Sequence, residues 1–368
     1  MSSAYAVRAA LPSDDAFILR LVGAPQPSTG LTLGFERQPS YFQSAGVSHQ
    51  SPDILVATHR DHQGLAAVVN MGRRPVYVNG ERQDIRFGSD MRVSPEHQGG
   101  RLLLYFNRAM RDLLGDNEWY QTVILRENAR SRATFDQGGR AGIPIYFPQQ
   151  QVVTYTLTAS RLPSVNSAFN VREATAADVP AMNAFMTKMA AHYQFLPAYD
   201  FNGVLTGEPY FRGLAIGDFV LVEKNGELRA LGALWRQKEF KQTRVLAYQP
   251  VIAWLRPFYN LWTRFQGGLQ LPPPGGLLDY VMAHSPLAAP MDAEAYTALM
   301  QALWLRLRAT GGRALCLSLA ENDPRRTALH QGFRFHAITG MHYLATYNAG
   351  CLPDLDAARV AYFECGRL

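Results

Sequence analysis

The sequence predicts an α/β (α+β) protein built from two related domains. Three observations carry this. Short β-branched and aromatic runs alternate with amphipathic helical stretches along the whole chain. The order of these elements in the first half returns in the second. The length, 368 residues, exceeds what one hydrophobic core usually holds.

In the first half, YAVRAAL (5–11) reads as a strand and PSDDAFILRLVG as a helix, with Ser13 its N-cap and acidic residues in its first turn. DILVATH (53–59) and LAAVVNM (65–71) are strands joined by a polar turn. VYVNGERQDIRFG holds Asn79-Gly80 between strand-like runs, a hairpin signal. Residues 85–93 form the next strand, and a glycine turn follows it. Leu102, Leu103, Phe106, Met110, Leu113 and Leu114 then recur at helical spacing and predict one apolar face. WYQTVIL (119–125) is a strand, RENARSRATFDQGG a helix stopped by a glycine pair, and PIYFPQQQVVTYTLT a closing strand.

The second half follows the same plan. FNVREATAADV echoes YAVRAALPSDD, and Asn225-Gly226 marks another hairpin. LLDYVMAHSPL ends in Ser-Pro, as DMRVSP does. Tyr296, Leu299, Leu303 and Leu307 share one side of a helix. Arg8 and Arg172 stand 164 positions apart, whereas Asn128–Asn322 and Gly138–Gly332 both stand 194 apart. A constant late offset points to a true repeat whose second copy has gained about 30 residues. The expected organisation is an N-terminal domain 1–159, a Ser/Pro linker 160–168, a C-terminal domain 169–348 with an aromatic insertion at about 248–276, and a tail 349–368. In that insertion Trp254, Phe258, Trp262 and Phe265 recur about every four residues, flanked by Arg256 and Arg264, with Pro257 bending or starting the helix. Packing between the domains is the favoured role, because exposed aromatic patches are rare on soluble proteins. A lid for a long acyl chain, or a peripheral membrane contact, is the lesser alternative.

Apolar residues make up 47% and charged residues 18% of the chain, a balance that excludes a disordered protein. The net charge of +6 comes from 36 basic against 30 acidic residues without any like-charge block, so no nucleic-acid partner is expected. Cys316, Cys351 and Cys365 make neither a disulfide framework nor a zinc spacing, and fit a reducing compartment. No apolar run reaches the ~18–20 residues of a membrane span, and MSSAYAVRAALPSDD lacks the charged and apolar regions of a signal peptide. A soluble, cytoplasmic protein is expected; the oligomeric state is left open.

The stretch from Asp90 to Phe106, DMRVSPEHQGGRLLLYF, runs from a strand through a glycine turn into a helix. It resembles motif A of the GNAT superfamily of acyl-CoA-dependent N-acetyltransferases. There, backbone N–H groups at a helix N-terminus cradle the CoA pyrophosphate, and glycine lets the phosphate approach. The resemblance maps Gln98 onto the Arg/Gln position, followed by Gly99 and Gly100. Arg101 stands where the family has glycine and Leu103 where it has Gly or Ala. Arg101 could itself supply donors to a pyrophosphate. Downstream, Asn128 and Ser131 fit the family's Asn-x-x-Ala/Ser, whose Asn side chain touches the CoA arm, and Gly138 fits the later Gly-Phe, where Gly139 replaces the aromatic. Phe135 replaces the Tyr that often protonates the leaving thiolate, and phenylalanine has no proton to give. In the second copy Asn322, Gly332 and Phe333 match, but Leu329 replaces that Tyr. Its motif A has no glycine, and Asp292 and Glu294 at the helix start would repel phosphate. The resemblance therefore implies an acyl-CoA site in the first copy and a degenerate second one.

By the same resemblance, backbone groups of Met91 and Val93 hold the pantetheine and thioester, and the cofactor set is Met91, Val93, Gln98, Gly99, Gly100, Arg101, Leu102, Asn128, Ser131 and Phe135. Asp90, three residues before Val93, is the candidate base for an attacking amine. His97 is expected as an exposed loop residue, and His59 and His62 have no partner at metal-ligand spacing, so no metal site is expected. Cys316 in ALCLSL reads as a core thiol. The expected function is N-acyl transfer from acetyl-CoA or another acyl-CoA to a primary amine on a small molecule or peptide. The alternatives are a non-catalytic tandem protein that binds a ligand or partner, and a long-chain N-acyltransferase using the aromatic insertion.

Overall fold

A computed structural model describes residues 4–28, 30–98, 101–115, 117–126, 128, 142–161 and 168–368. The first half runs β1 (Tyr5–Ala9), α1 (Asp15–Val22), β2 (Gln26–Ser28), β3 (Leu31–Glu36), α2 (Tyr41–Ser48), β4 (Ile54–His59), β5 (His62–Asn70), β6 (Arg73–Val78), β7 (Glu81–Phe87), β8 (Ser89–Val93), α3 (Leu102–Leu114), β9 (Trp119–Leu125) and β10 (Ile145–Ser160). The second runs β11 (Asn170–Glu173), α4 (Val179–Met189), β12 (Tyr193–Gln194), β13 (Leu196–Pro197), α5 (Asn202–Thr206), β14 (Phe219–Lys224), β15 (Glu227–Trp235), β16 (Gln242–Tyr248), α6 (Pro250–Gln266), β17 (Val281–Ala288), α7 (Ala293–Ala309), β18 (Leu315–Ala320), α8 (Arg326–Gly332), β19 (Phe333–Thr346) and β20 (Val360–Ala361).

The repeat is physical as well as numerical. Arg8 pairs with Asp14 at 2.7 Å, and Asp14 accepts the Leu11 N–H. Arg172 pairs with Asp178, also at 2.7 Å, and Asp178 accepts the Thr175 N–H. In each copy this carboxylate caps the turn before the first helix, so Asp14, and not Ser13, is the capping side chain. Both Asn-Gly turns adopt the left-handed backbone that a tight hairpin needs, with φ of 52° and 88° at Asn79-Gly80 and 55° and 79° at Asn225-Gly226.

Among the described residues, β1-β4-β5-β8 form one sheet, and β11-β14-β15-β17-β18-β10-β19-β9-β7-β6-β13 form a second. The larger sheet crosses the boundary between the halves. β10 lies between β18 and β19 of the second half, while β19 pairs along β9 of the first. The halves also exchange arms. The β6–β7 hairpin reaches β13 of the second half, and β16 pairs with β3 of the first. Helices α3 and α7 pack as their periodicity predicts. Leu102, Phe106, Met110 and Leu114 of α3 join a core with Ala67, Val69 and Ala345, while Tyr296, Leu299, Leu303 and Leu307 of α7 are fully buried. The insertion departs from expectation. It supplies α6, but Trp254, Phe258, Trp262 and Phe265 are exposed and do not pack the halves together. Among the described residues, no helix is long and apolar enough to cross a membrane.

Candidate active site

The predicted strand 85–93 is two strands belonging to two sheets. β7 runs parallel beside β9 at Arg86↔Tyr120 and Phe87↔Gln121. At Gly88 the chain leaves that sheet, and β8 pairs with β5 instead. A Cβ on Gly88 would come within 3.2 Å of both Met71 Sδ and the Tyr120 ring, so the switch point favours glycine. β8 and β9 therefore diverge. Beyond Val93 a short turn leads to Gln98, whose Nε2 donates to the Val93 carbonyl at 3.1 Å.

The cofactor residues expected from the sequence fall unevenly on this frame. Met91 and Val93 are half-buried on β8 and pack against the α3 core. Arg101 is exposed at the N-cap of α3, and Leu102 is a core residue. Asn128 is exposed, with its N–H donating to the Leu125 carbonyl at 3.0 Å. Gly99, Gly100, Ser131, Phe135, Gly138 and Gly139 lie outside the described residues.

Asp90 takes φ 51° where β8 bulges against β5. Arg37 Nη2 donates to its carboxylate at 3.1 Å and the Tyr41 hydroxyl at 3.3 Å. Burial alone would raise the Asp90 pKa, but Arg37, Arg92 and Lys241 outweigh it and hold the carboxyl below its ordinary value. Lys241, from the second half, is drawn down to about 7 by burial, with Arg37 adding repulsion. Its Nζ donates to the Gly366 carbonyl at 2.9 Å. His49 is held neutral by burial, its pKa lowered to about 3. One ring nitrogen meets the Phe87 carbonyl at 3.0 Å and the other meets Asn70 at 3.1 Å.

Next to this cluster lies a small cleft, with about 20 Å³ of free volume, lined by Arg74, Phe87, Gln121, Phe195, Phe363 and Glu364 among others. Its polar groups are buried and incompletely satisfied. Arg74 Nε and Nη2, Gln121 Nε2 and Glu364 Oε1 make no hydrogen bond of normal geometry among the described residues. The Tyr362 hydroxyl lies close to Glu364. Buried polar atoms in that state are uncommon and call for a partner such as a water or a bound polar group. Arg74 stacks on Phe87, 3.4 Å from the ring centroid, and burial lowers its pKa to about 10. Glu364 accepts the Ser285 N–H at 2.8 Å, yet burial raises its pKa to about 7. Sequence reasoning missed Arg37, Arg74, Lys241 and Glu364, which come from four distant segments. The one local signal was a lone carboxylate in the apolar stretch AYFEC.

The second half repeats the divergence and then fills it. β17 starts beside β18 at Val281↔Leu315 and bulges at Ser285, φ 48°. The two bulges match Asp90 with Ser285 and Pro95 with Pro290. The Ser-Pro of His284-Ser285-Pro286 is therefore not the counterpart of Ser94-Pro95. Arg325 and Asp323 form a fully buried pair at 2.6 Å. Arg325 donates to the Pro286 carbonyl at 2.9 Å and stacks on Tyr193, Tyr296 and Tyr362. Asp292 caps α7 and pairs with Arg229 at 2.6 Å. Residues 283–288 of β17 are all buried, whereas every residue of β8 is partly exposed.

Three histidines meet beyond the β4–β5 turn. The rings of His59, His62 and His97 lie 4.8–5.3 Å apart, and Tyr5 bonds His97 Nδ1 at 3.1 Å. His97 is buried, contrary to its expected loop exposure, and it supplies the partner that His59 and His62 lack in sequence. Donor atoms of His62, Glu96 and His97 lie within 4.8 Å of one another. That limit is wider than the about 3.4 Å between ligands of a tetrahedral zinc ion. Cys316 is buried, as expected, and burial raises its thiol pKa to about 12.

No family model matches the chain, and no curated protein matches it in sequence. Solved structures do resemble it. A GCN5-related N-acetyltransferase from Sphaerobacter thermophilus aligns over 98% of this chain and 100% of its own, with a TM-score of 0.58 and 13% identity. The N-myristoyltransferase of Saccharomyces cerevisiae with bound myristoyl-CoA aligns over 97% of this chain and 87% of its own, with a TM-score of 0.58 and 10% identity. Another structure of that yeast enzyme, with myristoyl-CoA and inhibitors, covers 100% of this chain and 87% of its own, with a TM-score of 0.59 and 10% identity. The likeness is one of shape, over nearly the full length of this chain. The chain thus carries the GNAT fold, in a two-lobed arrangement.

Proposed function

We propose that the protein is an acyl-CoA-dependent N-acyltransferase, with its acyl-CoA along β8 and the turn after it, and its acceptor amine in the cleft between the halves. One observation carries the choice of half: the first pair of diverging strands keeps a partly exposed β8, while the second is filled by Arg325, its tyrosines and Glu364. In this reading the 1–159 copy works and the 169–348 copy supports it. The neutral amine nitrogen attacks the thioester carbonyl, the C–S bond breaks, and the proton shed by the new amide nitrogen passes, directly or through water, to the departing CoA thiolate. The ammonium must first lose a proton. Asp90, held ionised by its cations, suits attracting and orienting the ammonium. Glu364, with a pKa near 7, is better matched than Asp90 to accept the proton at neutral pH. The Met91 and Val93 backbones, with Gln98, Gly99, Gly100, Arg101, Leu102, Asn128, Ser131 and Phe135, are the proposed cofactor contacts.

Calorimetric titration with acetyl-CoA and CoA, on the parent and on Gly99→Glu, tests this. Binding to the parent that is lost in the variant supports a cofactor at the first-half turn. Absence of binding at millimolar ligand would sink the acyltransferase reading, and binding indifferent to Gly99→Glu would move the cofactor elsewhere. The yeast neighbour was solved with a fourteen-carbon acyl donor, so myristoyl-CoA beside acetyl-CoA in the same titration reads the acyl length. One observation favours a non-catalytic binder: Asp90 is already satisfied by Arg37 and Tyr41. Stabilisation by CoA without turnover on a panel of amines would select that reading.

A further inference from the structure

Helix α6 presents its faces in reverse. Its inward side is largely polar. Arg256 lies over the Tyr248 ring, Asn260 holds both backbone groups of Leu271 at 2.8 and 2.9 Å, and Thr263 is buried. Ile252 adds one apolar contact against Gly30. Its outward side carries Trp254, Leu255, Phe258, Leu261, Trp262 and Phe265 at steps of one, three and four, one continuous stripe. These side chains are bare: Trp254 is 69% exposed, Phe258 62%, Trp262 54% and Phe265 81%. An ordinary surface helix turns such a stripe inward. A stripe this long facing water marks a surface that is covered when the protein works.

Charge chooses the cover. No acidic residue occurs between Glu239 and Asp279, and the charges on α6 itself are Arg256 and Arg264. Aromatic and leucine residues on one helix face, with arginine beside them, suit the boundary between lipid headgroups and acyl chains, where indoles settle. At 17 residues the helix is about 25 Å long, enough to lie flat and too short and too polar on its inner side to span. A second copy of the chain is a poorer occupant, because each copy carries a net charge of +6 and would bring its own Arg264 to the contact. A bound acyl chain is poorer still, since the exposed stripe has no opposing wall among the described residues.

We infer that α6 docks the protein on an anionic lipid surface, its aromatic stripe lying in the headgroup boundary and the exposed Arg264 meeting lipid phosphates. This does not depend on the acyl-transfer reading.

The test is flotation of the full chain with vesicles of phosphatidylcholine alone, and of phosphatidylcholine with phosphatidylglycerol, alongside tryptophan fluorescence. The protein should float with the anionic vesicles and its emission should shift to the blue. The double variant Phe258→Glu, Trp262→Glu, both at exposed positions, should stay at the bottom while keeping the parent's circular dichroism and melting temperature. Arg264→Gln should weaken binding to the anionic vesicles by about fivefold. Failure of the parent to float with anionic vesicles would overturn the inference, as would flotation of the double variant equal to the parent's. Light scattering that gives a dimer dispersed by the double variant, without vesicle binding, would assign the stripe to a second copy instead.

Discussion

Asp90 is mostly enclosed and Glu364 is buried, and their surroundings push the two carboxyls in opposite directions. Asp90 faces Arg37, Arg92 and Lys241, and their charges overcome its desolvation. Glu364 has the Ser285 N–H and more distant cations, and desolvation wins. The two consequences for stability are separable by pH. A depressed Asp90 stabilises the fold above its unfolded pKa of about 3.9, and that contribution is lost as pH falls through its lower folded value. A raised Glu364 does the reverse. Folding binds its proton more tightly than the unfolded chain does, so its contribution is complete in acid and fades as pH rises through about 7. Glu364→Gln keeps an acceptor for Ser285 and removes the charge. It should raise the melting temperature at about pH 8 and leave it nearly unchanged at about pH 5. A difference independent of pH in thermal melts would show that Glu364 titrates alike in the folded and unfolded chain, and would remove the raised pKa that recommends it as the proton acceptor. Lys241 runs opposite to Glu364, because its folded pKa near 7 makes the fold gain stability as pH rises from there. The variant comparison isolates Glu364 from it.

At the scale of elements, the site depends on where α3 places the turn between β8 and its own first residue. The helix is held by one stripe, Leu102, Phe106, Met110 and Leu114, against β5 and β19. Its outer face adds little. Arg101, Arg108 and Arg111 are exposed, and so is Leu104. Phe106 is 1% exposed at the middle of the stripe. Phe106→Ala should cost about 3–5 kcal/mol in chemical denaturation, and should weaken any CoA binding more than a surface change such as Arg108→Ala. An effect on stability with no effect on binding would mean that the turn is held from the β8 side alone, by the Gln98–Val93 link.

At the scale of the molecule, the halves are not separable bodies. β10 leaves the first half and is paired on both edges by strands of the second, from Val152↔Ala320 on one side and from Ile145↔Thr346 on the other. A chain ending at residue 161 would expose both edges of that strand, together with the edge of β9 that β19 covers. The fragment 1–161 should therefore lack a cooperative thermal transition, while the full chain should unfold in one. Two resolved transitions in calorimetry, or a fragment that melts cooperatively, would show that the shared sheet is a late and weak connection. The same strand exchange explains why the cleft draws on both halves: Arg74 and Gln121 come from one, Glu364 and Phe363 from the other.

Local chemistry made much of this readable from sequence. Asn-Gly turns, the Arg8 and Arg172 echo and the stripe of α3 each depend on residues a few positions apart, where backbone preference and periodicity act directly. The strand–turn–helix of 90–106 pointed to the fold. What sequence could not decide was anything set by desolvation or by distant partners. Asp90 reads alike as a surface group or a base until Arg37 and Lys241 are seen around it. His97 joins His59 only through the closure of β5 on β8. The aromatic stripe of α6 reads as core by composition, because burial is the usual fate of such residues. Only the tertiary structure, which sets the helix's polar side against β3 and β16, turns the stripe toward solvent. Sequence determined the elements and their duplication; the pairing of β10 and β19 across the halves determined which charges are buried together, because buried charge depends on the sum of surroundings and not on neighbours in the chain.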